Sequence, residues 1–241
     1  MRKEKKLLLF SAHPDDHLTC AGTLMFLKEK GFEIKEIVAT KGESGPWWIK
    51  KGEQKKSFKK EQLMEKRERE INKASAIIGV SETIFLGMED GRIVRDFNAV
   101  ETILTIIRKE KPDIVILPQK DDYHCDHREF SKIVLESLEK ASWDYDYEKG
   151  KPWRVPAVLM WEGFYLKRSD LVFDVSQFAT KKQKLIKIYS SQINPREEKL
   201  LASIGFYRAF FLRNNKSLLA ESFEIPKHFP VDIVYLFNLI S

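Results

Sequence analysis

Apolar segments alternate with amphipathic helical patterns from the start of the sequence, and this alternation restricts the possible folds. Short apolar segments predict strands at residues 6–12, 33–40, 83–86 and 113–117. Apolar residues three and four positions apart predict helices at residues 18–30, 98–109 and 128–141, and in a Lys- and Glu-rich stretch that ends at Gly79. Strands that alternate with helices form a mostly parallel sheet with helices on both faces. The sequence therefore predicts an α/β fold.

The chain beyond residue 141 is less regular. Strands are predicted at residues 157–161, 171–175 and 218–225, and a helix at residues 181–190. The sequence contains no linker, internal repeat or low-complexity segment that would mark a domain boundary. We therefore interpret residues 1–241 as a single α/β domain with a C-terminal elaboration.

Composition indicates which partners and compartments to expect. The chain carries a net charge of +6, but 36 acidic residues nearly match 42 basic ones, so we expect no nucleic-acid partner. Two cysteines, Cys20 and Cys125, cannot build a disulfide framework and favour a reducing, cytoplasmic compartment. The apolar runs are too short for a signal peptide or a membrane span. Residues 229–240 are apolar enough to suggest a homo-oligomer interface.

Two polar clusters follow predicted strands at their carboxyl ends. The first spans residues 13–17 (HPDDH), and the second spans residues 121–127 (DDYHCDH). In an open, doubly wound sheet the first and fourth strands are neighbours, and ligands bind in the crevice where the winding reverses. Two clusters about 110 residues apart are therefore expected to face each other at this edge of the sheet.

The residue types in the two clusters suit a metal ion. Two imidazoles and one carboxylate, with one position left for water, form a typical catalytic zinc site. Calcium and magnesium prefer oxygen ligands, and a structural zinc site would use more cysteine. An alternative is that Asp15 or Asp16 only caps the helix predicted from Leu18. Because four of the five histidines fall in these two segments, capping alone does not explain the pattern.

At these residues the chain resembles the PIG-L/LmbE-type N-acetylglucosaminyl deacetylase family. The family's hallmark, A-H-P-D-D followed later by H-x-D-H, stands at residues 12–16 and 124–127. Weaker family features follow in the same order, at residues 40–45 (TKGESG), 67–70 (RERE), 86–91 (LGMEDG), 174–176 (DVS), 191–192 (SQ) and 220–223 (AESF). The resemblance covers nearly the whole chain, and it implies a Rossmann-like fold and removal of an acetyl group from an N-acetylated amino sugar.

The resemblance also implies a role for individual residues. The zinc ion would be bound by His13, Asp16 and His127. Asp15 would be the general base that takes a proton from the activated water. A protonated His124, oriented by Asp126, would stabilise the oxyanion. The substrate's sugar would be bound by Arg67 and Asp90.

The sequence departs from the family pattern at three positions. His17 stands where an acidic residue is usual, and it would either support the metal ligands or add one. Cys125 replaces a common proline, and we expect its side chain to point away from the metal. Tyr189 stands where a histidine is common, which leaves the substrate contacts at that position open.

Two further features lie between the second strand and the Lys- and Glu-rich helix. Trp47 and Trp48 would either stack on a sugar ring as a lid or pack in the interior. The run of lysines is either a solvated helix start or a patch that attracts an anionic substrate, and it comprises Lys50, Lys51, Lys55, Lys56, Lys59 and Lys60.

Two other functions compete with deacetylation of a sugar. The same ligands would suit a zinc hydrolase that acts on a different amide or on a phosphoester. A non-catalytic nucleotide- or sugar-binding α/β module is the second alternative. It should carry a glycine-rich phosphate loop after the first strand, where this chain has His-Pro-Asp-Asp instead.

Overall fold

The computed structural model describes residues 4–45, 60–163, 166–167, 169–213 and 216–240. The described strands are β1 (Lys5–Ser11), β2 (Phe32–Val38), β3 (Val80–Phe85), β4 (Ile114–Pro118), β5 (Ala157–Trp161), β6 (Leu171–Asp174) and β7 (Ala220–Glu224). They form one sheet in the order β3-β2-β1-β4-β5-β7-β6. Strands β1 to β5 pair in parallel, whereas β7 is antiparallel to both β5 and β6. The predicted α/β fold with a mostly parallel sheet is confirmed.

Helices surround this sheet. They are α1 (Ala21–Glu29), α2 (Lys60–Ile78), α3 (Phe97–Glu110), α4 (Cys125–Ala141), α5 (Ala179–Ile188), α6 (Pro195–Phe210) and α7 (Ile233–Ile240). A single turn of 3-10 helix, Asp16–Thr19, separates β1 from α1. Among the described residues, no helix combines the length and the hydrophobicity needed to cross a bilayer.

The sheet separates two hydrophobic cores, and β1 contributes to both. Leu7 and Leu9 pack against α1, the end of α2 and α5, whereas Leu8 and Phe10 pack against α3 and α4. This alternation follows from the two-residue side-chain period of a strand. Because both faces of β1 and β4 are covered, their backbones are fixed, and so are the loops at their carboxyl ends.

Strand β1 lies at the point where the winding of the sheet reverses. It pairs with β2 on one side and with β4 on the other, with Leu9 opposite Ile116. The predicted neighbourhood of the first and fourth strands is therefore confirmed, and residues 13–17 and 121–127 emerge at the same edge.

Helix α6 was not predicted from the sequence. Its buried residues are Leu201, Gly205 and Ala209, a narrow stripe with four positions between successive members, while Phe206 and Phe210 are exposed. Apolar residues on both faces hide the helical period. The start of α6 nevertheless has a readable signal, because Asn194 and Glu197 form a capping box around a proline at the first helical position.

Arg108 is a buried charge that joins α3 to the segment after α4. Its side chain is 1% exposed, and its guanidinium donates to six backbone carbonyls, those of Lys140, Ala141, Trp143, Tyr145, Asp146 and Gly150. Two of these carbonyls, those of Lys140 and Ala141, belong to the C-terminal end of α4, where a positive charge is favourable. One side chain thus satisfies the end of a helix and the turns that follow it.

We predict that Arg108→Met lowers the free energy of unfolding by about 3 kcal/mol, because it leaves buried carbonyls without a donor. Urea unfolding followed by tryptophan fluorescence measures the change. Arg92→Met is the matched control, since Arg92 is exposed in a turn and pairs with Glu89, three residues earlier. Equal midpoints for the two variants would contradict this role of Arg108.

Candidate functional site

The two polar clusters meet in a cavity of about 150 Å³ at the carboxyl edge of the sheet. Residues from the loops after β1, β2, β3 and β4 line it together with the start of α6. The lining residues are His13, Asp15, Asp16, Gly45, Arg67, Asp90, His124, His127, Gln192, Ile193 and Glu197. Every predicted site residue except Asp126 lines this cavity, and the Asp126 carboxylate lies directly behind His13.

Three side-chain atoms form a small triangle in the cavity. His13 Nδ1 lies 3.2 Å from His127 Nε2, and Asp16 Oδ1 lies 3.1 Å from His127 Nε2 and 3.7 Å from His13 Nδ1. Ligand atoms about 2.0–2.1 Å from a tetrahedral zinc ion are about 3.3 Å apart from one another. The spacing of these three atoms therefore fits a single four-coordinate metal ion.

The backbone holds Asp16 in position for this role. Its Oδ2 accepts hydrogen bonds from the N–H groups of Ala12 (2.7 Å) and His13 (2.9 Å), which leaves Oδ1 facing the two imidazoles. Asp15 precedes the 3-10 turn but makes no side-chain cap bond, and Cys20 precedes α1 without one. Neither Asp15 nor Asp16 therefore acts as a helix cap through its carboxylate.

Two carboxylates flank the far side of the His13 ring. Its Nε2 lies 3.1 Å from Asp90 Oδ1 and 3.2 Å from Asp126 Oδ2. Asp126 is itself fixed by the N–H of Gly91 at 2.7 Å, and Asp90 by the N–H of Ser44 at 2.8 Å. Acceptors on Nε2 hold its proton there, which directs the Nδ1 lone pair into the triangle.

His127 is oriented in the same way by a residue to which the sequence analysis gave no role. Its Nδ1 lies 3.0 Å from Asp122 Oδ1, which also accepts the N–H of His124 at 2.8 Å. Asp122 is 5% exposed, and its presence turns Nε2 of His127 toward Asp16. The sequence shows Asp122 two residues before His124, but it gives no reason to prefer Asp122 over the neighbouring Asp121. The two residues differ in burial, which the sequence does not reveal.

The carboxylates also set the electrostatics of the two imidazoles. Burial lowers the pKa of His127, but Asp16 and Asp122 outweigh it and raise the pKa to about 9. Burial opposes the same effect at His13, whose pKa is nevertheless well above its usual value because of Asp126, Asp16 and Asp90. The cluster therefore favours a positive charge at this position, and a metal ion would compete with protons for it.

Other combinations of side chains near the triangle are also close enough to hold a metal ion. They are His13, His124 and His127; His124, Cys125 and Asp126; and His13, Asp90 and Asp126. The contacts favour Asp16 as the third ligand, because Nε2 of His13 already faces two carboxylates and Nδ1 of His124 already accepts a backbone N–H. Cys125 is exposed on the first turn of α4 and does not line the cavity.

Asp15 is held by Arg67 rather than left free. Arg67 donates from one terminal nitrogen to Asp15 Oδ1 at 2.5 Å and from the other to the carbonyl of Gly42 at 2.9 Å. Gly42 has a φ of +70°, and any side chain there would overlap the guanidinium. Both Arg67 and Asp90 line the cavity. Asp90 and the two terminal nitrogens of Arg67 are paired with the protein, whereas Arg67 Nε is buried with no partner among the described residues. Their predicted contact with the sugar stays a prediction.

His124 is fixed as the N-cap of α4. Its Nδ1 accepts the N–H of Asp126 at 3.2 Å, so in the neutral ring the proton sits on Nε2. Burial lowers the pKa of His124, and the nearby His13 and His127 lower it further. The ring of His124 contacts the Asp126 backbone N–H, whereas the Asp126 carboxylate is turned toward His13. The expected protonated His124 oriented by Asp126 stays a prediction, and the lowered pKa favours the neutral ring.

Two of the departures from the family pattern contact each other. His17 is fully buried, and its Nδ1 lies 2.9 Å from Glu36 Oε2 while its Nε2 lies 2.6 Å from the hydroxyl of Tyr189. The Tyr189 hydroxyl also donates to the carbonyl of Pro14 at 2.9 Å, and Ser11 donates to the other oxygen of Glu36. Neither ring nitrogen of His17 is available to a metal, so His17 supports the ligand loop instead.

Some predicted features cannot be placed. Trp47, Trp48 and the lysines from Lys50 to Lys59 lie outside the described residues. Lys60 is exposed at the first described position of α2. Gln192, Ile193 and Glu197 line the cavity without having been predicted as site residues. Gln192 lies in the SQ feature noted in the sequence, whereas Glu197 was missed because α6 was not predicted.

With this fold and site, the chain belongs to the family described as PIG-L, GlcNAc-PI de-N-acetylase, whose model matches residues 8–138. The resemblance found in the sequence is therefore confirmed. The chain is 28% identical over 141 residues to diacetylchitobiose deacetylase of Thermococcus kodakarensis. That match covers 57% of this chain and 50% of the relative, so the chain spans about half of the relative's length.

Solved structures share the fold over nearly all of the chain. N,N'-diacetylchitobiose deacetylase from Pyrococcus horikoshii superimposes with a TM-score of 0.81 at 20% identity, covering 97% of this chain and 89% of that one. GalB, the 4-carboxy-2-hydroxymuconate hydratase of Pseudomonas putida, superimposes with a TM-score of 0.78 at 20% identity, covering 91% and 95%. Likeness at this identity shows the fold alone, and these two proteins carry out different reactions on it.

We predict that Asp122→Asn weakens zinc binding by about 10-fold to 100-fold, because His127 loses the carboxylate that orients its ring. Competition with a chromogenic chelator measures the affinity. Asp121→Asn is the matched control, because Asp121 is the preceding residue but is exposed and pairs with Lys167. Equal loss of affinity in both variants would argue against the assignment of Asp122.

We further predict that Tyr189→Phe destabilises the protein by about 1–2 kcal/mol and weakens zinc binding, because His17 Nε2 and the Pro14 carbonyl lose their buried partner. Thermal unfolding gives the first effect, and the visible spectrum of the Co²⁺-substituted protein reports the ligand geometry. Tyr123→Phe, at an exposed tyrosine, controls for loss of a hydroxyl. A Co²⁺ spectrum identical to that of the unchanged protein would separate Tyr189 from the ligand loop.

Proposed function

We propose that this chain is a zinc-dependent N-deacetylase that hydrolyses the acetamide of an N-acetylated amino sugar. The observation that carries the proposal is the triangle of His13 Nδ1, Asp16 Oδ1 and His127 Nε2 in a cavity that the Asp15 carboxylate and the His124 imidazole also line. Two histidines and one carboxylate are the ligand set of a catalytic zinc site with an open position.

The metal would be bound by His13, Asp16 and His127, each held by its own set of hydrogen bonds. When bound, zinc makes a water molecule acidic enough to be deprotonated near neutral pH and polarises a carbonyl oxygen. The chain's contribution is a rigid, partly buried set of ligand atoms, which need little rearrangement to accept the ion.

Asp15 is placed to act as the general base. Its Oδ1 is held by Arg67, so its Oδ2 is the oxygen left to take a proton from the attacking water. The same oxygen can return this proton to the nitrogen of the breaking C–N bond, which leaves as an amine. A positioned base of this kind contributes typically about 10²-fold to 10⁴-fold to the rate.

His124 is placed to stabilise the negative charge that develops on the acetamide oxygen. With Nδ1 accepting from the backbone, the Nε2–H of a neutral ring is its hydrogen-bond donor toward the cavity. A donor that is already oriented before the reaction loses nothing to reorganisation as the charge grows. We therefore assign His124 as a neutral electrophile rather than an acid.

Support for the acetamide as the scissile group comes from the family and from the name of the T. kodakarensis relative. The likeness to GalB shows that a hydratase also has this fold, so an assay is needed to determine which bond this chain cleaves or forms. A panel of N-acetylglucosamine, N,N'-diacetylchitobiose, an aryl phosphoester and an unsaturated carboxylic acid separates deacetylation from phosphoester hydrolysis and hydration. Activity confined to either of the last two compounds would reject the proposal.

We predict that Asp15→Asn lowers the kcat for release of acetate by at least about 100-fold, because the base is lost while the metal ligands stay in place. Acetate release is followed with a coupled assay, and zinc content is measured on the same samples by atomic emission. Asp121→Asn serves again as an exposed Asp-to-Asn control. Full zinc occupancy with unchanged turnover would show that Asp15 is not the base.

A further inference from the structure

We propose that the cavity selects its substrate by charge, accepting uncharged acetamido sugars and excluding phosphorylated or carboxylated ones, with Glu197 as the residue that sets this selectivity. The inference rests on the proposed function, since it names the class of amino sugar that the same site takes. It follows from how Glu197 is held, from the other charges that line the cavity, and from the charges of substrate and product.

Glu197 is fixed at the cavity by the way α6 begins. It is the third residue after the N-cap Asn194, whose side chain accepts the N–H of Glu197 at 3.0 Å. In return, Glu197 Oε2 accepts the N–H of Asn194 at 3.1 Å, which completes the capping box. The carboxylate is therefore held in place on a rigid helix turn and not on a mobile side chain, and it lines the cavity.

The described residues that line the cavity carry more negative than positive charge. Their four carboxylates are Asp15, Asp16, Asp90 and Glu197. The positive groups are Arg67 and the imidazoles of His13 and His127, whose pKa values are raised, so one negative charge remains in excess. Arg67 is 3% exposed and already donates to Asp15 and to the carbonyl of Gly42. A phosphate or carboxylate on the substrate would therefore meet Glu197 without a free guanidinium or ammonium from the described lining to pair with it.

Glu197 shares its environment with the reaction centre, because Glu197 and Asp15 line the same cavity. Burial raises the pKa of Glu197, and the charge of Asp15 raises it further, while the backbone contact with Asn194 acts in the opposite direction. Asp15 thus affects Glu197 across the cavity. A substrate bound against Asp15 lies within the field of Glu197, where a unit charge interacts more strongly than in bulk water.

The charges of the reaction agree with this arrangement. In deacetylation the amide C–N bond breaks, the carbonyl carbon takes the oxygen of water, and the nitrogen takes a proton. A neutral amide becomes acetate and an amine that is protonated at neutral pH. An acidic cavity attracts the ammonium product and repels acetate, and it disfavours any substrate that brings an anion of its own.

The lysine run of residues 50–60 argues for the opposite selectivity, since it would attract an anionic substrate. Its residues from Lys50 to Lys59 lie outside the described part of the chain. The two views predict opposite rankings of the same two compounds, so a single comparison decides between them.

The experiment compares N-acetylglucosamine with N-acetylglucosamine 6-phosphate, using the zinc-loaded full chain. We expect kcat/KM to be at least about tenfold higher for the uncharged sugar. Glu197→Gln is the test variant, because glutamine also closes a capping box and so removes the charge while keeping the helix start. The preference should fall several-fold in Glu197→Gln and remain in Glu198→Gln, which lies on the same turn but does not line the cavity.

Binding separates failure of this inference from failure of the proposed function. Glucosamine and glucosamine 6-phosphate are titrated calorimetrically into the same three proteins, a measurement that needs no turnover. Weaker binding of glucosamine to Glu197→Gln than to Glu198→Gln supports the inference even if no acetamide is cleaved. Deacetylation that prefers the phosphorylated sugar, or equal preferences in all three proteins, overturns the inference and leaves the deacetylase proposal standing.

Discussion

Parallel pairing of β1 with β4 is the constraint on which the site depends. The two strands are far apart in sequence and adjacent in the sheet, so the loops that follow them leave at the same edge. Because both faces of each strand are packed against helices, neither loop can shift without disturbing a core. The separation of 3.2 Å between His13 Nδ1 and His127 Nε2 is thus fixed by the register of the sheet and not by contacts within the loops alone.

Several carboxylates surround these two histidines, and they have two different roles. Asp16 points into the triangle, whereas Asp90, Asp126 and Asp122 stand behind the imidazoles and fix which nitrogen carries the proton. Buried carboxylates are costly without a positive partner, and here the partners are protonated imidazoles or, in their place, a cation. The carboxylates extend to the cavity lining through Asp15 and Glu197, so ligand orientation and substrate preference have one electrostatic origin.

The sequence predicted much of this arrangement and missed specific parts for physical reasons. Strand periodicity and the reversal of winding placed residues 13–17 beside residues 121–127, and the residue types indicated a metal. The carboxylates that orient the metal-ligand histidines could not be predicted from the sequence. Asp121 and Asp122 differ only in burial, and Asp126 could have contacted either His13 or His124. The tautomer of His124 depends on its position as the N-cap of α4, which begins at Cys125. The type of residue at position 124 does not reveal that position. Helix α6 was not predicted because its buried stripe is narrow and its exposed face carries aromatic residues. Glu197, which lies on α6, was missed for the same reason.

The contact between His17 and Tyr189 has a consequence for how this chain relates to others of its fold. Each residue alone departs from the usual family pattern, yet the Tyr189 hydroxyl contacts Nε2 of His17 and donates to the carbonyl of Pro14. An acidic residue in place of His17 would face the hydroxyl of Tyr189 and lie beside Glu36. A histidine in place of Tyr189 would face the imidazole of His17. The two side chains therefore form a matched pair, and exchanging only one of them, as in a chimera that replaces the C-terminal part, would leave a buried polar group without its partner.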